Sequence, residues 1–316
     1  MQNKQKKIIS LTVKLLIIAI SWAYLIYIIY KDFKNLNFYL TFNIDILQTS
    51  FFVSVIFLMP INWALESLKW KYLISEIEKV SFFKSFKAVW TGVAVGHFTP
   101  NRIGEFGGRI YFLQKDNRIF GSLLTLYGDF AQFIVSFSSG ILALFFFVSI
   151  TDIQNRDYFD NNYFILSFSI ALTALVIYIF GDYLLRLSGK VFSKKSFFIK
   201  FLNFPKIKFL NKILILLIGI IRYIVFVIQF FLILKFFNQN ISFFNTFIAL
   251  AGVFFLITII PNYSVSEIGL RLSASIFFFK EFVPEIEIIL FSSIMIYIIN
   301  VGIPVIIGGF FLLKQK

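Results

Sequence analysis

The sequence predicts an all-α polytopic membrane protein, a single membrane domain over residues 1–316 with about six full transmembrane helices and two re-entrant half-helix hairpins in an inverted-topology repeat. Three observations predict it. Apolar residues fall in long, nearly charge-free runs, basic residues concentrate in particular loops, and two polar motifs recur about 161 positions apart. Composition agrees: 59% of the residues are hydrophobic and 15% charged, more apolar surface than a soluble domain can hide.

The first run, Ile8–Tyr30, comes after Lys4, Lys6 and Lys7. It is too long for the apolar core of a signal peptide and lacks a small-x-small cleavage site, so it is expected to be an uncleaved first span, with Lys14 reaching for the interface. Further crossings are expected near 47–68, 120–150, 162–183, 211–234 and 286–313, each near the roughly 20 residues a helix needs to cross the hydrocarbon. Residues 184–212 carry eight basic side chains and no acid, whereas 151–162 and 280–287 are net negative. The positive-inside rule therefore puts both termini and 184–212 in the cytoplasm, and 31–46, 151–162 and 280–287 outside a cell membrane. The formal net charge of +14 reads as loops meeting anionic headgroups, not nucleic acid.

Two stretches remain, 83–118 and 241–281. Each is long enough to enter and leave on one side, with Pro, Asn and Gly at its centre, as a re-entrant pair of half-helices requires. They resemble each other. Ser81-Phe82-Phe83, Phe86, Ala88 and Pro100-Asn101 match Ser242-Phe243-Phe244, Phe247, Ala249 and Pro261-Asn262, each pair 161 apart. One residue later in register, Glu105–Arg109 and Glu267–Arg271 both read E-x-G-x-R. Residues 1–155 and 160–316 are thus expected to be two repeats. Three crossings and a hairpin apiece leave the second inverted relative to the first.

The hairpin centres carry the candidate chemistry. Pro100 and Pro261 should end the incoming half-helices, with Asn101, Asn262, Gly104 and Gly269 shaping the turns and the returning half-helices. Glu105 should begin the returning half-helix, with Arg109 one turn on to pair with it; Glu267 and Arg271 repeat the arrangement. Arg102, Arg109 and Arg271 suit a phosphate, and half-helix N-termini offer free N–H groups to an anion. The alternative is that these pairs only close the hairpins. Asp129, inside a span without a local cation, is the better cavity candidate. Arg222 is either its partner or a substrate ligand. Glu66 is read as an interface residue beside Lys69, with a cavity role as the alternative. His97 is read as a satisfied interior histidine. Asn62, Gln132, Gln229 and Asn300 should be interhelical hydrogen-bond partners, and Trp22, Trp63, Trp70 and Trp90 interface markers. There is no cysteine and one histidine, so no metal site and no cofactor is expected.

Thr99-Pro100-Asn101-Arg102-Ile103-Gly104-Glu105 resembles the T-P-(G/A)-R-x-G-E motif of the lysylphosphatidylglycerol synthase transmembrane-region family. Ile260-Pro261 with Glu267 is similar to its second motif, I-P-x-x-x-x-G-x-x-E, except that Ser264, Val265 and Ser266 stand where glycine is usual. The resemblance covers nearly the whole chain and implies a flippase-like fold. Bifunctional members are thought to move aminoacylated phosphatidylglycerol that a separate cytosolic domain makes. With Lys316 three residues past the last span, this chain is expected to lack that domain and to make no such lipid.

The expected function is a flippase-like transporter of an anionic phospholipid or a polyprenyl-phosphate-linked lipid, and not an enzyme. Its partners would be membrane lipids, anionic headgroups and a lipid-modifying synthase. No P-loop points to direct use of ATP. The alternatives are a membrane-embedded transferase acting on a lipid-linked substrate, with Glu105 or Asp129 as base, and a scaffold that docks a synthase through 184–212.

Overall fold

The computed structural model describes residues 45–99, 102–151, 161–191, 202–260 and 264–313. The expected first span, and Pro100, Asn101, Pro261 and Asn262, lie outside the described residues. Helices succeed one another as α1 (Ile46–Ile74), α2 (Phe82–His97), α3 (Gly104–Ile110), a 3-10 turn (Lys115–Asn117), α4 (Arg118–Thr151), α5 (Asn161–Ile179), α6 (Gly181–Val191), α7 (Phe209–Phe236), α8 (Phe243–Ile259), α9 (Ser264–Phe279), α10 (Ile286–Tyr297), a π-helical segment (Ile298–Gly302) and α11 (Ile303–Leu313). Among the described residues, Ile46–Ile74, Lys115–Ile150, Asn162–Ile179, Phe209–Phe236 and Ile286–Leu313 are long and apolar enough to cross a bilayer. The protein is an all-α, multi-pass membrane protein. Along α5, Tyr163, Ile165, Leu166, Phe168 and Leu172 are all at least half exposed, as a lipid-facing helix demands.

Local sequence sets the helix boundaries. Asp45 accepts from the Gln48 N–H at 3.0 Å while the Gln48 side chain accepts from the Asp45 N–H, a capping box that starts α1. Ser81 and Ser242 start α2 and α8 in the same way, each hydroxyl accepting from the N–H three residues on, at 3.2 and 3.1 Å. After α7, Asn238 takes the left-handed conformation (φ 58°), and the Gln239 and Asn238 N–H groups close back on Leu234 and Lys235.

α1 and α7 pack against each other and run antiparallel. Gln229 donates to the Val55 carbonyl, Arg222 to Asn62, and the Lys208 N–H to Glu76, so position falls along one helix as it rises along the other. The hairpin packing is reciprocal: α2 lies on α11, and α8 lies on α4. A Cβ on Gly308 of α11 would come within 2.0 Å of the Trp90 carbonyl, and one on Gly140 of α4 within 2.4 Å of Phe255. Both contacts need glycine for close approach.

The two hairpins open toward opposite ends of α4. Glu78 ties the ends of the first together, accepting from Lys84 (3.0 Å) at its start and from the Gln114 N–H (3.0 Å) and Asn117 (3.1 Å) at its finish, just before Arg118 begins α4. The ends of the second meet the other end of α4, where Phe146 contacts Phe244 and Phe147 contacts Phe282. The two contact zones stand about 40 Å apart along the helix, at about 1.5 Å per residue.

Candidate functional site

α1 presents Asn62, Glu66 and Lys69 along one face, at a spacing of four and then three residues. Glu66 is the hub. One carboxylate oxygen takes Arg109 of α3 at 2.9 Å; the other takes Lys69 at 2.7 Å and Arg222 of α7. Arg222 also donates to Asn62 (2.9 Å) and Gln132 (3.3 Å), and its guanidinium lies 5.9 Å from the Trp63 ring. Arg109 holds Glu105 through its other nitrogen. All four charges of the hub are buried, and a buried charge is tolerable only when paired in this way.

α3 is brought onto α2 by glycine pairing. A Cβ on Gly108 would lie 2.7 Å from the Cα of Gly92, so the two backbones touch there. Gly104 donates its N–H to the Thr99 hydroxyl at 2.7 Å, which starts α3. Among the described residues of this bend the left-handed one is Arg102, φ 53°, and not Gly104, as the described glycines hold no positive φ. A non-glycine residue in that region is held at a cost that its surroundings must outweigh. What holds Arg102 is the second hairpin: its guanidinium donates to both oxygens of Glu267, at 2.8 and 2.9 Å. Glu267 also takes Arg271 at 3.2 Å, one turn along α9, near the buried Gly269. Arg102 of the first hairpin and Glu267 of the second therefore meet.

Most of the charged side chains just described line one cavity of about 390 Å³. Its lining holds five cations (Lys69, Arg102, Arg109, Arg222, Arg271) against three carboxylates (Glu66, Glu105, Asp129), with Glu267 just behind it, bound to Arg102 and Arg271. The two halves of the chain contribute unequally. Residues before 150 supply six of the eight charges, while Phe226, Phe230, Leu250, Val253 and Phe254 of α7 and α8 supply much of the apolar wall. Arg222 is midway along α7, about 20 Å from either end at 1.5 Å per residue. The charged cavity is thus near the middle of a helix long enough to cross a bilayer.

Residues 9–308 match the model of the lysylphosphatidylglycerol synthase TM region family. The chain belongs to that family. No curated protein matches it. The arginine and glutamate of the first family-like motif are Arg102 and Glu105, which line the cavity; the glutamate of the second is Glu267, bound to the lining residues Arg102 and Arg271.

The structure brings Arg102, Glu105, Arg109, Asp129, Arg222, Glu267 and Arg271 to one place, and both E-x-G-x-R pairs form. Three expectations are corrected. Glu66 and Lys69 are not at an interface; three cations, two of them from distant helices, make Glu66 worth burying. Arg222 pairs with Glu66 and not with Asp129, which instead feels Lys69 and Arg109 through space. Trp63, Trp70 and Trp90 are buried and mark no interface. Trp70 donates to Thr125 at 2.9 Å and Trp63 to the Asn300 carbonyl at 3.1 Å, so two of the three indole N–H groups find partners inside. The signal for the hub was legible: Asn62, Glu66 and Lys69 share a face of an otherwise apolar helix.

Proposed function

We propose that this protein is a flippase-like transporter, and not an enzyme, that moves lipids with anionic headgroups, phospholipid or polyprenyl-phosphate-linked, between the leaflets of the cell membrane. The observation that carries the reading is the cavity: a cation surplus at mid-depth beside an apolar wall suits a phosphate attached to a hydrocarbon chain. Arg102, Arg109 and Arg271 supply planar donors for that phosphate.

Further support comes from the architecture. The matched serine caps of α2 and α8, the antiparallel α1–α7 pair, the reciprocal hairpin packing and the opposite openings of the hairpins all suit two inverted repeats related across the membrane plane, each with a re-entrant hairpin. In such folds the substrate site lies at the repeat interface, and one repeat rocks against the other. Lys208, in the basic 184–212 stretch, donates its N–H to Glu76 in the loop after α1, so the two share one side, as expected if α1 crosses inward from an outer 31–46 segment; this supports the orientation with both termini cytoplasmic.

Arg102 is the natural gate. Its side chain is 40% exposed while that of Glu267 is 6%, so an arriving phosphate meets Arg102 first. Exchanging Glu267 for phosphate would loosen the tie between the hairpins at the moment a headgroup is held.

The test is translocation of fluorescent phosphatidylglycerol and of a polyprenyl-phosphate analogue in proteoliposomes. Wild type should move at least one of them, and Arg102→Gln, still folded by size-exclusion profile, should lose roughly tenfold or more in rate, the worth of about one charge-assisted hydrogen bond. Movement of neither lipid above empty liposomes would sink the proposal.

A further inference from the structure

One wall of the cavity lies largely outside the ionic network. α9 and α10 are joined by a short turn and lie side by side. The Arg271 guanidinium sits 5.6 Å from the Tyr297 ring. One turn further along α9 is Ser275, and one turn back along α10 is Ser293, so the two serines face the same gap. Asn300 comes next, in the π-helical segment. All five line the cavity.

Each carries one polar atom without a partner. The Ser275 and Ser293 hydroxyls, the Tyr297 hydroxyl, the Asn300 side-chain oxygen and the Arg271 Nε are buried without a hydrogen-bond partner. Ser275 and Ser293 are each 1% exposed and Asn300 3%. Hydroxyls in apolar helices ordinarily bond back to the carbonyl one turn earlier. Ser67, Thr125, Ser149 and Ser169 of this chain do so, at 2.7–2.8 Å. Ser275 and Ser293 keep their hydroxyls free.

The backbone is bent to the same end. Pro304 has no N–H to give to the Asn300 carbonyl four residues before it. That carbonyl instead takes the Trp63 indole at 3.1 Å, while the Asn300 amide donates to the Ile296 carbonyl at 3.2 Å and leaves its oxygen open. π-Helical turns inside α-helices are common at functional sites for this reason, since they re-aim a side chain.

Buried polar groups left unpaired cost stability unless a ligand or water completes them. The geometry points to a hydroxyl-recognition subsite: Ser275, Ser293, Tyr297 and Asn300 bind the hydroxyl groups of a polyol headgroup, glycerol or sugar, whose phosphate is held by the neighbouring arginines. Serine and tyrosine hydroxyls both donate and accept, and an amide oxygen accepts, so the set matches alcohol groups that do the same. An ammonium headgroup would instead meet Arg271. This inference rests on reading the cavity as a lipid-headgroup site and adds which headgroup it selects.

The experiment compares two monoanionic phosphodiesters of equal charge, short-chain phosphatidylglycerol and short-chain phosphatidylethanol, binding to the purified full chain in detergent. Wild type should hold phosphatidylglycerol about tenfold more tightly, the worth of one or two hydrogen bonds to a site left unpaired by the other lipid. The double variant Ser275→Ala/Ser293→Ala should bring that ratio close to one. Its melting temperature without lipid should not fall, because it removes hydroxyls that bond to nothing; a clear fall marks the serines as structural and overturns the subsite. Equal binding of the two lipids by wild type, or a ratio unchanged in the double variant, also overturns the subsite while leaving the anionic-headgroup reading in place. Binding of neither lipid overturns both.

Discussion

The first and second E-x-G-x-R motifs are alike in sequence and unlike in use. Both close an ion pair one helical turn long. Glu105–Arg109 then turns inward: Arg109 is bound to Glu66, and through it to Lys69 and Arg222, in a fully buried cluster. Glu267–Arg271 turns across the molecule: Glu267 reaches Arg102, whose side chain is part-exposed at the cavity. The helices differ to match, seven residues in α3 against sixteen in α9. Equivalent motifs have become an anchor in one half and a latch in the other. The lesson is that a repeated sequence fixes the local pair, while the elements packed around it decide what the pair does.

The comparison can be broken most decisively at Glu66. Glu66→Gln leaves three buried cations without their common partner and should cost about 3–5 kcal/mol, the usual penalty for breaking a buried ion pair. It should be seen as a lost melting transition or a loss of monodisperse protein in detergent. Glu267→Gln should cost less, about 1–3 kcal/mol, because Arg102 can turn to water. Equal losses would show that the motifs are not divided into anchor and latch.

The glycines sharpen the contrast on the anchor side. Gly108→Ala places a methyl 2.7 Å from Gly92 and 3.0 Å from the Thr91 carbonyl, and should lower stability by about 1–3 kcal/mol through overpacking. Gly107→Ala, one residue away with nothing within 4 Å, should change stability by less than about 0.5 kcal/mol. Similar melting temperatures for the two variants would mean that α2 and α3 do not meet through their backbones.

The smallest effect lies outside the spans. Burial pushes the Glu78 carboxyl up, but hydrogen bonds from the Gln114 N–H, Asn117 and Lys84 outweigh it and hold the group below the usual carboxylate range. A depressed folded value means that the stabilisation is present above the ordinary carboxylate range and is lost as pH falls through the lowered one. Glu78→Gln should remove that part of the pH dependence, about 1 kcal/mol, and loosen the mouth of the first hairpin. A stability–pH curve identical to wild type below pH 5 would count against the clasp.

Much of the fold is legible in the sequence. The described spans fall within a few residues of their expected positions, since apolar length alone sets them. The exceptions are the second, where α1 runs on to Ile74, and the fourth, where α5 stops at Ile179 and α6 begins at Gly181. Both i,i+4 pairs come from spacing. What spacing along the chain does not carry is which helix faces which. The Glu66 hub, the Arg102–Glu267 latch and the buried tryptophans all depend on partners 43–237 residues away. Arg102 is readable from its motif as a phosphate ligand, but its left-handed backbone and its hold on Glu267 depend on the second hairpin being there.

The Glu66 hub also sets a timetable for biosynthesis. Arg109 is made 43 residues after Glu66, Arg222 156 residues after it, and Trp63 waits 237 residues for Asn300. At about 5–20 residues per second, the last of these delays is on the order of tens of seconds. Through that interval the nascent first half holds a buried carboxylate with an incomplete set of cations, and α2 has no α11 to lie on. A chain stopped before Arg222 should therefore be a substrate for membrane quality control, and the two halves, expressed as separate pieces, should be stable only together.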